Sequence, residues 1–500
     1  MVPDEAFTCF LTAFPPDRRT TRHILFLKAV QSEDTRMTRP IREWRRQSRY
    51  RDIIRVCLPL VASMSATTVM EFTDRAFLSN YSLAAISAAA PAGITAFLFM
   101  AFFGGVGSYA GVFIAQYSGS GAHRQIGRVL WQGIYFTLFS GIVFLLLSLF
   151  AAQPLFALAG HSPEVQALER TYFDILCRGA ILHVAIATLS TFFAGRGMTR
   201  PVMLATLLGM IINIPLDYAL IFGRWGLPEM GVAGAAIATV CGWAVSFALL
   251  AVLIFTRDHD RRFAVLGNRA FSAEIFMRLL RYGIPGSLQF SVDILAFTIF
   301  LLLVGRIGDI ELAATNIVLS INAVAFMPSM GVSQGISVLV GQALGARQPQ
   351  QARAAVWSGI HLLLAYIGIV DLLFILFPEA ILSPFLAASG DPSTAAAIRA
   401  AAVPILRIIS AYLFFDALYM VFSGVLKGAG DTRFIMVCVG FASVVCLIVP
   451  VSLGILVFDM GVTGAWMWVL AFVFVLFLLS AGRYRRGHWQ RMLVIEESAR

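Results

Sequence analysis

The segments Gln116-Tyr-Ser-Gly119 and Trp131-Gln-Gly-Ile134 recur 226 residues later, as Gln342-Ala-Leu-Gly345 and Trp357-Ser-Gly-Ile360. Four further matches occur in the same order along the two halves of the chain: Pro59 with Pro285, Leu83-Ala-Ala85 with Leu312-Ala-Ala314, Gly195-Arg-Gly-Met-Thr-Arg200 with Gly428-Ala-Gly-Asp-Thr-Arg433, and Gly231-Val-Ala-Gly-Ala235 with Gly461-Val-Thr-Gly-Ala465. Six ordered matches indicate an internal duplication, so we expect two halves of the same architecture.

The composition places both halves in a lipid bilayer. Of the 500 residues, 59% are hydrophobic and only 13% are charged, and the mean hydropathy is +0.80. Soluble domains carry about 25% charged residues. This excess of apolar side chains excludes a soluble enzyme and a disordered chain, and the six cysteines show no C-x-x-C spacing, which argues against a metal site or a disulfide scaffold. The remaining class is an all-α polytopic membrane protein.

Stretches of about 18–25 residues without clustered charge are long enough to cross a bilayer as helices. The sequence contains twelve of them: 56–79, 84–116, 129–151, 166–194, 202–222, 232–256, 283–304, 313–343, 355–377, 397–426, 434–457 and 462–482. Six spans fall in each repeat. Because six is an even number, both repeats begin on the same side of the membrane and are parallel.

These spans divide the chain into five regions. They are a basic N-terminal tail at 1–52, an N-lobe at 53–256, a linker at 257–282, a C-lobe at 283–482 and a C-terminal tail at 483–500. Two parallel bundles that enclose a cleft are typical of secondary transporters, in which the bundles rock to open the cleft to each side in turn. The sequence has no G-x-x-x-x-G-K-[ST] phosphate loop, so we do not expect ATP to drive transport directly.

The basic residues predict the orientation. Of the 38 Lys and Arg residues, 31 lie in the tails or in connections on one side of the predicted spans. The positive-inside rule makes this side cytoplasmic, so we expect both termini in the cytoplasm and the protein in the plasma membrane. The net charge of +10 therefore indicates topology and contact with anionic membrane lipids, and we expect no nucleic-acid partner.

The start of the N-terminal tail makes a poor signal peptide. It is acidic, and its short apolar run ends at Pro15-Pro16. Residues 1–36 contribute no span, so we predict that translation begins at Met37. The intact mass of the native protein tests this prediction.

Carboxylates inside spans are the candidate functional residues, because each costs on the order of 2.5–3.5 kcal/mol to insert. Asp293 lies roughly 12 Å beyond Pro285 and Asp416 roughly 18 Å before Gly428, at 1.5 Å per residue, so both are expected near mid-membrane in the same half. Tyr412 shares a helix face with Asp416. Asp74 lies in the first span.

Other acids have structural explanations beside functional ones. Glu71 precedes Asp74 by three residues and could share its face, or the two could pair with Arg75. Asp174 and Asp371 lie toward span ends, where solvent or snorkelling would satisfy them. Asp217 follows Pro215 and could bond to backbone groups that the proline frees.

The chemistry of the candidate site is cation binding. A carboxylate in a low-dielectric cleft takes a proton readily, and two carboxylates with a phenol oxygen could instead bind Na⁺, since hard cations prefer oxygen ligands. Either ion can compete with an organic cation for the same charge. That competition would couple uphill efflux to downhill ion entry.

At this point the chain resembles a known family, the multidrug and toxic compound extrusion (MATE) transporters of the NorM-like bacterial branch. The resemblance covers about residues 50–485 and rests on five stretches: Val69–Leu78, Gln116–Gly119, Arg196–Pro201, Asn213–Leu216 and Tyr412–Asp416. It implies twelve spans in two six-helix lobes. It also implies efflux of cationic or amphiphilic drugs in exchange for Na⁺ or H⁺, with no other cofactor.

The resemblance assigns roles to individual residues. The family's cation-coupling acids of spans 1, 7 and 10 fall on Asp74, Asp293 and Asp416, and its cation-contacting tyrosine falls on Tyr412. Na⁺ would then bind at Asp293, Asp416 and Tyr412, while Glu71, Asn213 and Gln289 would line the substrate cavity. The span-7 acid is commonly Glu in this branch, so Asp293 is shorter by one methylene.

Two other functions compete with this prediction. A flippase for lipid-linked precursors belongs to the same broad superfamily, but it would need a basic cleft for pyrophosphate, and the mid-span charges here are acidic. An intramembrane enzyme is disfavoured, because the sequence has no H-E-x-x-H motif. We expect a monomer that binds small cationic or amphiphilic substrates and membrane lipids, and no enzymatic activity.

Overall fold

The computed structural model describes residues 49–157, 161–386 and 392–496. The proposed start at Met37 and nearly all of the predicted basic tail lie outside these residues. Within them the chain is helical and contains no β-strand.

Among the described residues, twelve helices are long and apolar enough to cross a membrane, which confirms the all-α polytopic fold. They are α1 (Tyr50–Tyr81), α2 (Leu83–Ser120), α3 (His123–Phe150), α4 (Pro163–Ala194), α5 (Arg200–Phe222), α6 (Gly231–Ile254), α7 (Ala273–Val304), α8 (Asp309–Gly345), α9 (Pro349–Leu376), α10 (Pro392–Ala429), α11 (Thr432–Val457) and α12 (Val462–Arg485). Helix ends follow local signals. Ser82 caps α2, for example, by accepting a hydrogen bond from the backbone N–H of Ala85.

The largest departure from the predicted spans is at α7, which begins at Ala273 rather than at residue 283. The added turns are amphipathic. Ile275 and Leu279 are buried one above the other, while Arg281 is exposed. The charged residues end the hydrophobic stretch that hydropathy detects. The helix nevertheless extends further, because its apolar stripe is buried against neighbouring residues. The predicted linker at 257–282 is correspondingly shorter and contains one short helix, Arg257–Phe263.

The two repeats form two lobes with matching internal packing. In the N-lobe (α1–α6), α4 packs against α2, α3 and α6. In the C-lobe (α7–α12), the equivalent helix α10 packs against α8, α9 and α12. The duplication inferred from the sequence is therefore a duplication of helix packing.

The lobes meet through the helix pairs α1–α8, α2–α7 and α2–α8. We use "terminal face" for the end of the bundle that carries Tyr50, Arg257–Phe263 and Arg485. Near this face the ends of α2 and α8 cross at two glycines. A Cβ at Gly119 would overlap the backbone carbonyl of Gln342, and a Cβ at Gly345 would overlap that of Gln116. The repeated Gln-x-x-Gly motif thus forms a close backbone crossing between the lobes.

We predict that Gly345→Ala destabilises the protein, because the added methyl must push α8 away from the Gln116 backbone. Overpacking of this kind costs about 1–3 kcal/mol. The midpoint of heat-induced aggregation, followed by size-exclusion chromatography of detergent-purified protein, should fall.

Gly368→Ala is the matched control, since Gly368 lies in α9 with nothing near its Cβ position. Its midpoint should stay level or rise, because alanine favours the helix. Equal midpoints for the two variants would contradict a tight crossing at Gly345.

Candidate cation-binding sites

The C-lobe brings together three of the predicted residues. Asp416 and Tyr412, one turn apart on α10, are 2% and 7% exposed. Asp293 on α7 is half-buried and lies within electrostatic range of both. One oxygen of Asp416 has no hydrogen-bond partner among the described residues. These three residues are the C-lobe carboxylate site, and they converge as the sequence predicts.

Two neighbours complete the C-lobe carboxylate site. Gln289, one turn before Asp293 on α7, is buried and donates its Nε2 to Asp293 Oδ2 at 2.7 Å. Lys427 of α10 is within electrostatic range of Asp293. The two residues are far apart in the sequence, so the sequence alone does not indicate this proximity. Gln289, predicted to line the substrate cavity, therefore contacts the carboxylate directly.

A second cluster lies inside the N-lobe. Asp74 of α1 accepts a hydrogen bond from Thr239 Oγ1 of α6 at 3.1 Å, and it lies beside Asn213 and Asp217 of α5. All four side chains are buried. They form the N-lobe carboxylate site, which the structure places in the other lobe from Asp293 and Asp416.

Asp217 has a different environment from the one that its sequence suggests. The expected bonds to backbone groups freed by Pro215 are absent, since neither carboxylate oxygen of Asp217 has a hydrogen-bond partner among the described residues. The side chain is fully buried beside Asp74 instead. The sequence contains one indication of this environment. Asp217 follows Asn213 by four residues, which puts both side chains on one face of α5. Nothing in the local sequence marks Thr239.

Glu71 lies apart from this cluster. It is exposed, whereas Asp74 is 5% exposed, although the two remain within electrostatic range of each other and of Arg75. A three-residue step leaves a 60° offset around the helix, which is enough to separate an exposed side chain from a buried one. Glu71 therefore lies outside the hydrogen-bonded N-lobe carboxylate site.

Neither site has an internal counter-ion in contact. Among the described residues, no Lys, Arg or His forms an ion pair within 4.0 Å with Asp74, Asp217, Asp293 or Asp416. Buried carboxylates without partners are costly and take up a cation or a proton. Both sites can therefore bind an inorganic cation or a proton.

An apolar cavity of about 420 Å³ lies between α2, α3 and α7. Phe99, Phe102 and Phe103 of α2 form part of its wall. Leu288 and Val292 of α7, the immediate neighbours of Gln289 and Asp293, form another part. The aromatic side chains of this cavity suit a flat ligand with an apolar body.

A twelve-helix bundle with unpaired carboxylates in its interior defines a polytopic membrane transporter, and comparisons with known proteins agree. The sequence profile of the MatE family matches residues 59–219 and 285–452, once in each repeat. The chain is 27% identical over 449 residues to the probable multidrug resistance protein NorM of Thermotoga maritima, covering 89% of this chain and 94% of that protein. It is 27% identical over 413 residues to the multidrug resistance protein PmpM of Pseudomonas aeruginosa, covering 78% and 81%.

Solved structures show the same fold. A MOP superfamily transporter from Pyrococcus furiosus aligns with a TM-score of 0.80 at 22% identity, covering 88% of this chain and 96% of that one. An outward-facing multidrug resistance MATE transporter aligns with a TM-score of 0.79 at 22% identity, covering 87% and 96%. The chain belongs to the MatE family of membrane transporters. The predicted family is thereby confirmed, as is the prediction that the protein is not an enzyme.

We predict that Thr239→Val destabilises the fold, because Asp74 loses the hydrogen bond that Thr239 of α6 donates to it. Leaving a buried carboxylate without this donor costs about 1–3 kcal/mol. The unfolding midpoint of detergent-purified protein, followed by tryptophan fluorescence, should fall.

The control is Thr298→Val, because Thr298 is exposed on α7 and bonds only to its own helix at Ile294. Its midpoint should match that of the wild type. If the two variants unfold together, Thr239 does not support Asp74.

Proposed function

We propose that this protein is a secondary antiporter that exports organic cations or amphiphilic drugs in exchange for Na⁺ or H⁺. The observation that carries the proposal is the C-lobe carboxylate site, where Asp293 lies within electrostatic range of the buried Asp416 and no described Lys, Arg or His contacts either carboxylate. The names of the NorM and PmpM relatives, both multidrug resistance proteins, support the substrate class.

Competition for charge supplies the coupling. An organic cation would place its charge against Asp293 and Asp416. Na⁺ would bind to the same carboxylates with the Tyr412 oxygen, and a proton would neutralise one of them. Either event removes the attraction for the organic cation and releases it. The N-lobe carboxylate site offers a second place for the coupling ion.

The transport cycle in this proposal is a rocking motion of the two lobes. The glycine crossing between α2 and α8 holds the lobes together near the terminal face. Opening there would separate Gly119 from Gln342 and Gly345 from Gln116. The cleft would then face the side from which substrate is loaded.

Orientation and assembly are part of the same proposal. The excess of Lys and Arg on one side of the spans makes the terminal face cytoplasmic, with both termini in the cytoplasm. The protein would reside in the bacterial plasma membrane as a monomer that contacts anionic lipids through its basic connections.

The alternative, a flippase for lipid-linked precursors, fits the charges less well. Two carboxylates and Lys427 give the C-lobe carboxylate site a net negative charge when all three are ionised. A pyrophosphate would be repelled there, whereas a monovalent cation would be attracted.

We predict that Asp416→Asn and Asp293→Asn each lower gradient-driven efflux by at least about tenfold, because each removes a charge interaction worth more than about 1.4 kcal/mol. The assay follows a fluorescent organic cation in proteoliposomes under an imposed Na⁺ or pH gradient. Both substitutions are nearly isosteric and should leave the fold intact. The elution profile of each purified variant verifies this.

Asp459→Asn is the matched control, because Asp459 is exposed in a loop with φ of 49°, a conformation that Asn also adopts. It should transport at the wild-type rate. Full transport by Asp416→Asn would refute the role of the C-lobe carboxylate site.

A further inference from the structure

The chain segment that follows α12 begins on the C-lobe. After Arg485, Trp489 stacks on Tyr484 with 5.2 Å between ring centroids and donates its indole N–H to the Tyr484 carbonyl at 3.0 Å. Trp489 is 1% exposed and belongs to the C-lobe core. This end of the segment is therefore fixed to the C-lobe.

The other end of this segment lies in an apolar cluster that N-lobe helices form with the first turns of α7 of the C-lobe. Val494 and Ile495 are 0% and 5% exposed, among aromatic residues of α2 and the first turns of α7. Arg278 of α7 donates to the Val494 carbonyl at 2.6 Å and pairs with Glu496 at 3.1 Å. Residues 486–496, here named the C-terminal strap, thus join α12 and α7 of the C-lobe to α2 of the N-lobe at the terminal face.

Gln116 joins this strap to the contact between the lobes. Its side chain is fully buried, and both ends of its amide are used. Nε2 donates to the Gly428 carbonyl of α10 at 3.1 Å, while Oε1 accepts the Val494 N–H at 2.8 Å. A single N-lobe side chain therefore bonds to a C-lobe helix and to the strap at once.

The repeat-related residue, Gln342, shows what the strap adds. Gln342 Nε2 donates across the interface to the Gly195 carbonyl at 2.9 Å, which mirrors the Gln116–Gly428 bond. Among the described residues, no backbone N–H donates to Gln342 Oε1 in the way that the Val494 N–H donates to Gln116 Oε1. Tyr109 strengthens the strapped side further, because its hydroxyl donates to the Lys427 carbonyl at 3.0 Å. The terminal face thus has two repeat-related hydrogen bonds between the lobes, Gln116 to Gly428 and Gln342 to Gly195. The strap adds contacts to the first of them.

We propose that the C-terminal strap locks the terminal face closed, and that its release from the N-lobe precedes opening on that side. The inference rests on the proposed rocking motion for its role in transport. Separation of the lobes moves Gln116 away from Gly428 while the strap remains tethered at Trp489. Val494 and Ile495 must then leave their apolar site, so strap docking and lobe closure favour each other.

Native Cys57 provides a reporter of opening. Cys57 of α1 is 3% exposed and lies against α8, with its Sγ 3.9 Å from the Val332 carbonyl. Separation of the lobes at the terminal face would expose it. Cys177, which is 1% exposed inside the N-lobe core, is the internal control. Full-length purified protein is treated with N-ethylmaleimide without substrate or gradient, and mass spectrometry follows each cysteine.

Val494→Asp places a charge in the apolar site and should raise the rate of Cys57 labelling roughly tenfold, while Cys177 labelling is unchanged. Ile495→Ala removes a buried apolar side chain without adding a charge and should raise the rate several-fold. Arg491→Ala, at an exposed strap position, should match the wild type.

An unchanged rate at Cys57 in Val494→Asp would overturn the proposal. If Val494→Asp also accelerates Cys177, that variant has loosened the fold and Ile495→Ala decides. A rise confined to Cys57 then supports the lock, and no rise overturns it. Because labelling needs no transport, a failed lock and a failed antiporter give different results.

Discussion

The rest of the structure depends on one electrostatic constraint, the presence of carboxylates without contacting counter-ions inside an apolar helical bundle. Asp416 and Asp217 are buried and have carboxylate oxygens without a hydrogen-bond partner in the described residues. Insertion of such groups into a bilayer is costly. Carboxylates that remain there without a counter-ion attract cations. The helices around them supply support without neutralising them, since Gln289 and Thr239 donate hydrogen bonds but carry no charge.

The tandem repeat explains how two such sites can coexist. Each lobe has its own central helix, α4 or α10, around which the others pack, and each holds one carboxylate cluster. The lobes then meet through backbone crossings at Gly119 and Gly345, where no side chain could fit. Hydrogen bonds such as Gln116 to Gly428 and Gln342 to Gly195 also join the lobes, and apolar side chains of α1 and α2 pack in buried clusters shared with the C-lobe.

Much of this could be predicted from the sequence, and the limits are physical. The spans and the duplication follow from hydropathy and spacing, and Asp293, Asp416 and Tyr412 converge as predicted because mid-span charge is so costly. The amphipathic start of α7 at Ala273 was missed, since hydropathy ends before the helix does. Thr239 and Lys427 were missed as site neighbours, because only tertiary packing brings them to Asp74 and Asp293. Glu71 shows the reverse error, in which proximity along a helix did not give a shared environment.

The central claim is that organic and inorganic cations compete for the same carboxylates. Equilibrium dialysis of purified protein with radiolabelled tetraphenylphosphonium tests it directly, with Na⁺ raised at fixed pH and constant ionic strength, and pH lowered in a separate Na⁺-free series. We expect at least one of the two inorganic cations to displace the bound label completely. The cation that does so is the coupling ion. Binding of the label that is unaffected by both Na⁺ and protons would contradict the account, because the ions would then occupy independent sites.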